Sequence, residues 1–202
     1  LRQDSQLKVA RIEKDLTYTS ASTTLSDGNL RVQFNVKENI QMSQYGLDVL
    51  ETFAEDMAVD GESPDVAFRR QGNLFLTDEA GRSEVERGLA IQQSLGCDVS
   101  WLTPTEAKAI FPLLDESKFM GATFGKDDGT LSPTAVWQAY KKKAVALGAQ
   151  IIEAEVTAVL HQSNQVTGVQ LKSGNVLHAA AVVNSAGAWG TALAQTCGVE
   201  IP

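Results

Sequence analysis

Residues 151–185 constrain the fold more than any other stretch. Residues 151–153 read as one strand, and 156–160, 166–171 and 176–178 read as three short antiparallel strands joined by turns at Ser163-Asn164 and Ser173-Gly174. An apolar, β-branched run at 179–185 is expected to be a further strand. It meets Ala186-Gly187-Ala188-Trp189, and a helix over 191–197 closes at Gly198. Such a succession calls for sheets with helices packed against them.

Upstream, residues 7–13 (LKVARIE) read as a short buried strand ending on an acid, followed by a polar loop over 17–28. Residues 39–57 show helical periodicity, with Ile40, Leu47, Leu50, Phe53 and Met57 near one face. The turn-rich DGESP at 60–64 breaks the pattern, and 66–76 reads as two short strands around Gln71-Gly72. Helices are expected over 83–95, ending at Gly96, from the capping box Thr103-Pro104-Thr105-Glu106, and over 133–147 up to Gly148. Residues 118–124 read as a strand before the turn Asp127-Asp128-Gly129. The order of elements is an α/β pattern with a second lobe inserted.

The chain has 202 residues, 43% of them hydrophobic, which suits one large or two small domains. A net charge of -8 leaves no basic surplus for phosphates, so no nucleic-acid partner is expected. Cys97 and Cys197 form no CxxC pair, which fits a reducing compartment and gives no thiolate metal site. No metal ligand set is expected, and His161 and His178 read as ordinary strand residues. No apolar run approaches the roughly 20 residues of a membrane span, and no signal peptide is visible, so a cytoplasmic location is expected.

Three constellations could carry chemistry. Glu13 ends a strand, where a dinucleotide-binding βαβ unit places the acid that accepts from the ribose hydroxyls, about 20 residues after a glycine-rich turn. A solvated surface acid reads the same way. Ala186-Gly187-Ala188-Trp189 could let backbone approach a phosphate at a helix start, or could be a tight turn with a core tryptophan. Ser20, Ala21 and Ser22 with Gly28 and Arg31 could supply backbone donors and one fixed cation, or could be a surface loop with an incidental arginine.

In this order, VARIEKDLTYTSAS (9–22), RRQGNLFL (69–76), KDDGTLSP (126–133), GAQIIEAEV (148–156), VVNSAGAWG (182–190) and the closing GVEIP resemble the D-amino-acid-oxidase (DAO) superfamily of FAD-dependent oxidoreductases. The similarity is closest to the branch of sarcosine oxidase, glycine oxidase and dimethylglycine dehydrogenase. The resemblance implies a discontinuous FAD/NAD(P)-binding Rossmann-like lobe with a three-stranded antiparallel meander, over residues 1–65 and 130–202. An inserted α+β substrate lobe would cover 66–129.

It implies FAD as cofactor and oxidation of a C–N bond in a small amino acid or N-methylated amine. Hydride would pass from the carbon beside nitrogen to flavin N5. The electron acceptor stays open. Glu13 would hold the adenosine ribose, with Lys14 beside it among the cofactor contacts. Ser20, Ala21 and Ser22 would line the pyrophosphate and ribityl chain, and Gly28, Asn29, Leu30 and Arg31 would approach the isoalloxazine ring. Val156 would contact adenine through its backbone, and Ala186, Gly187 and Trp189 would pack near the pyrophosphate. Arg31 is the expected catalytic residue.

Sarcosine oxidases carry a second arginine three residues past the match to Arg31, on the substrate carboxylate; Phe34 stands there in this chain. The resemblance also sets the GxGxxG loop upstream of residue 1 and the C-terminal third past residue 202, so the 202-residue chain is expected to bind FAD weakly or not at all. Covalent flavin attachment is not expected in the loop 16–39, which holds no His or Cys. Two rival functions on the same fold are a non-catalytic assembly protein and a tRNA-modifying relative; the acidic charge counts against the second.

Overall fold

The computed structural model describes residue 4 and residues 6–201. In chain order the elements are β1 (Ala10–Glu13), β2 (Asn29–Leu30), α1 (Lys37–Asp56), β3 (Asn73–Thr77), α2 (Arg82–Ser94), β4 (Val99–Leu102) and α3 (Pro104–Ile110). They continue with β5 (Gly121–Gly125), β6 (Gly129–Thr130), α4 (Pro133–Ala146), β7 (Gln150–Glu153), β8 (Val156–Gln162), β9 (Gln165–Leu171), β10 (Val176–His178) and α5 (Gly190–Gln195). Short 3-10 turns occupy Glu116–Lys118 and Gly187–Trp189. The chain divides into two compact units. One joins the segment up to Leu25 to the segment from Lys141 onward, and the other is Ser26–Tyr140.

In the first unit β1 and β7 run parallel, with Ile12 opposite Ile152 and Glu13 opposite Glu153. The meander forms as β10-β9-β8, all antiparallel. The Thr196 hydroxyl, just past α5, accepts the Val159 N–H at 2.9 Å and ties the helix end to β8. Two expectations fail here. The strand over 7–13 shrinks to Ala10–Glu13, and it is half-exposed rather than buried. Residues 179–185 form no strand, and Val183 is 88% exposed. β-Branched composition favours a strand only where a neighbouring ladder takes up the backbone hydrogen bonds, and among the described residues the Ala179 N–H on the Thr167 carbonyl of β9 is not continued into a ladder along this run. A glycine-rich loop about 20 residues before Glu13 would make residues 1–6 the tail of a helix, an expectation that falls largely outside the described residues.

In the second unit β3-β5-β4 form an antiparallel sheet and β2 pairs with β6. The capping box predicted for α3 is present: the Thr103 hydroxyl accepts the Glu106 N–H, and the Glu106 carboxylate accepts the Thr103 N–H. Of the two strands expected over 66–76, only β3 forms; the first is a single bridge between Arg69 and Thr130. The core packs α1 on α4 through Phe53, Val66 and Ala139, flanked by Val49, Leu50 and Val136. Phe53 also meets the Tyr140 ring edge-on at a centroid distance of 5.2 Å.

Phe53 is 2% exposed, so Phe53→Ala is expected to cost about 3–5 kcal/mol by transfer and cavity terms. Met42 on the same helix is 64% exposed, and Met42→Ala is expected to stay within about 0.5 kcal/mol. Urea denaturation of both variants checks the contrast.

Candidate functional site

The second unit contains an open cavity of about 570 Å³ whose walls include Asp27, Asn29, Arg31, Phe34, Asn73 and Phe75. Arg31 follows β2 directly. Its guanidinium carbon lies 4.8 Å from the Phe34 ring centroid and 5.0 Å from that of Phe75. Aromatic rings this close to a guanidinium attract its charge without neutralising it, so its N–H groups remain for an anion. Among the described residues, no carboxylate forms an ion pair with Arg31.

The backbone around Arg31 is held by residues 128–130. The ladder pairs Asn29 with Thr130 and Leu30 with Gly129. Asp128, with 0% exposure, accepts the Val32 N–H at 2.8 Å and the Gln33 side-chain amide at 2.9 Å. The same Gln33 amide donates to the Asn73 carbonyl at 2.9 Å. Asn73 and Asn29 exchange two side-chain hydrogen bonds, at 2.8 and 3.1 Å. Two glycines make room for this arrangement. Gly28 sits at φ +77°, and a Cβ there would overlap the Leu131 carbonyl oxygen. A Cβ on Gly125 would come within 2.5 Å of the Asp128 carboxylate.

The first unit brings together another part of the expected set. Glu13 ends β1, and its carbonyl accepts the Ala154 N–H at 3.0 Å, two residues before Val156 opens β8. The Glu13 carboxylate accepts the Asp15 N–H at 3.2 Å and lies 3.8 Å from the Arg11 guanidinium. The Lys14 ammonium stands 3.4 Å from the Trp189 ring centroid. Gly187 has φ +55° and open space where a Cβ would project, so its backbone is approachable. Ala186 is half-buried just before it.

Ser20, Ala21 and Ser22 lie in a turn where the Ala21 N–H donates to the Tyr18 carbonyl and the Ala21 carbonyl accepts the Leu25 N–H, both at 3.1 Å. A carboxylate at a strand end, a cation on an indole and an open glycine backbone form a donor and acceptor set that suits an adenine dinucleotide.

Sequence reasoning did not single out Asn73, Phe75, Gln33 or Asp128 as site residues. Asn73 and Phe75 lie within RRQGNLFL and Asp128 within KDDGTLSP, so order along the chain marked their segments but not their roles.

The family profile described as DAO, FAD dependent oxidoreductase, matches residues 1–202. FAD-dependent oxidoreductase domain-containing protein 1 of Bos taurus is 29% identical over 218 residues, covering 98% of this chain and 45% of that protein. The mitochondrial sarcosine dehydrogenase of Homo sapiens is 29% identical over 140 residues, 66% of this chain and 15% of that protein. Among solved structures, L-proline dehydrogenase from P. horikoshii matches with a TM-score of 0.82 and 28% identity, over 98% of this chain and 51% of that one. The chain therefore spans about half the length, or less, of the proteins it resembles.

Burial pushes the Asp128 carboxyl above its ordinary value, against hydrogen bonds from Gln33 and Val32 and the charge of Arg31. A carboxyl raised on folding contributes stability below its unfolded value, about 3.9, and loses that contribution as pH rises through the folded value. The stability of the wild-type chain relative to Asp128→Asn is thus expected to shrink upward from about pH 4. Urea midpoints of both chains between pH 4 and 7 check this; a difference independent of pH refutes it.

Proposed function

This chain belongs to the DAO family of FAD-dependent oxidoreductases, and from that premise we propose that it serves oxidation of a C–N bond in a small amino acid or N-methylated amine. The observation that carries the reading is the Arg31 guanidinium, 4.8 and 5.0 Å from the Phe34 and Phe75 ring centroids and, among the described residues, in no ion pair, in a cavity large enough for a small amine. The names of sarcosine dehydrogenase and L-proline dehydrogenase both denote action on a secondary amine carrying a carboxylate, which supports that substrate class.

Each expected residue has a role in this reading. Glu13 and Lys14 hold the adenosine end, and Ser20, Ala21 and Ser22 with Ala186, Gly187 and Trp189 line the pyrophosphate. Val156 offers backbone to adenine. Gly28, Asn29 and Leu30 shape the approach to the ring system. FAD, when bound, supplies the two-electron acceptor. Arg31 provides a permanent positive charge where negative charge develops, a preorganised stabilisation that needs no proton transfer. Phe34 and Phe75 exclude water and leave an apolar surface for the substrate's alkyl groups, which strengthens the field of Arg31. An amine bound in its neutral form requires no general base. Division of labour between a flavin lobe (1–65 and 130–202) and a substrate lobe (66–129) fits a cavity whose walls include both Arg31 and Phe75. Two free, half-buried cysteines suit a reducing compartment and support a cytoplasmic setting.

The test is anaerobic flavin reduction in the protein that carries this chain, with FAD bound. Sarcosine, L-proline and other small secondary amines are expected to bleach the flavin absorbance with saturation. Arg31→Met is expected to slow the bleaching about 10²–10³-fold with FAD content retained. Absence of bleaching across primary, secondary and N-methylated amines would discard the reading in favour of a non-catalytic role.

A further inference from the structure

We propose that Asp128 is a positioning residue for Arg31, an inference that rests on reading the Arg31 cavity as the reaction site. Residue 31 is bracketed. On one side the β2–β6 ladder fixes Asn29 and Leu30, and on the other the Asp128 carboxylate fixes Val32 at 2.8 Å and Gln33 at 2.9 Å. The fixation extends across the cavity, because the Gln33 amide reaches the Asn73 carbonyl and the Asn73 side chain reaches Asn29. One carboxylate therefore sets both the segment that bears Arg31 and the start of β3, whose Phe75 ring centroid lies 5.0 Å from the guanidinium.

A neutral isostere does not fill this role. Both carboxylate oxygens face donors, so an asparagine turns one N–H₂ group onto the Gln33 amide, or onto the Val32 N–H, and breaks the bridge. Burying an acid completely is costly, and a plain connector between two strands needs no charge. The carboxylate also attracts the guanidinium electrostatically and so restrains where Arg31 rests. Gly125 is part of the same device, since a side chain there would occupy the space of the Asp128 carboxylate.

The experiment uses the 202-residue chain, acetate as the carboxylate probe, and the Arg31 Nε–H signal in nitrogen-15 NMR, with Arg31→Met identifying that signal and the acetate bound there. In the wild type, Arg31 Nε–H shows cross-relaxation to the Phe34 and Phe75 rings. In Asp128→Asn these contacts are expected to vanish and the acetate Kd to rise about tenfold, while circular dichroism stays unchanged.

A folded Asp128→Asn that keeps the ring contacts and the acetate affinity overturns the proposal. If Asp128→Asn does not fold, Gln33→Leu removes the amide that joins Asp128 to the Asn73 carbonyl and leaves Asp128 on the Val32 N–H. Loss of the Phe75 contact then supports the proposal, and its retention overturns it. A wild-type chain that shows the ring contacts but binds no acetate removes the reading of the cavity, while the ring contacts of the variants still decide the role of Asp128.

Discussion

A carboxylate with no exposure survives in a protein only when donors surround it, because desolvation penalises its charged form heavily. The geometry of the second unit near Arg31 follows from meeting that condition at Asp128. The Val32 amide and the Gln33 side chain converge on it, Gly125 gives up a side chain to make room, and the short ladder of β2 on β6 places the carboxylate beside the strand it holds. With its backbone fixed this way, Arg31 keeps its guanidinium near the Phe34 and Phe75 rings and, among the described residues, in no ion pair. A flexible loop would instead let so strongly charged a group find solvent or a surface acid.

The first unit uses different means for a related end. Parallel pairing of β1 with β7 brings Glu13 and Glu153 to the same strand ends, and the chain then turns through Ala154 into the meander. The Lys14 ammonium finds the Trp189 ring rather than an acid, a contact worth about 0.5–1 kcal/mol at an exposed site. That is too small to order the strand end by itself. The backbone hydrogen bond from Ala154 to Glu13 and the Asp15 N–H on the Glu13 carboxylate add the local restraint. In the proposed reading, acceptor, cation and open glycine would serve one cofactor together.

Much of the fold was legible in the chain itself. Turn residues and strand-forming runs determined the three-stranded meander, whose observed limits differ from the expected ones by two residues at most. Capping chemistry determined the start of α3 at Pro104, and glycines at 96, 148 and 198, all at positive φ, mark the ends of α2, α4 and α5. These signals are local, so neighbours along the chain suffice to read them. The ordered motifs also determined the family. Residues 179–185 show the limit of local reading: their composition favours a strand, but a strand exists only beside a partner, and partners are chosen in three dimensions.

The site was legible in part for the same reason. Arg31 and its neighbours, Glu13, Lys14 and the small residues at 186–187 stood out because charge, glycine and strand ends are visible in one dimension. Tertiary structure alone decided that Phe75, 44 positions from Arg31, supplies a wall on the guanidinium, and that Asp128, nearly 100 positions away, holds the backbone beneath it. Sheet pairing sets such long-range contacts, and an acid in a KDDG turn looks like any solvated turn residue until the ladder of β2 on β6 folds over it and removes the water.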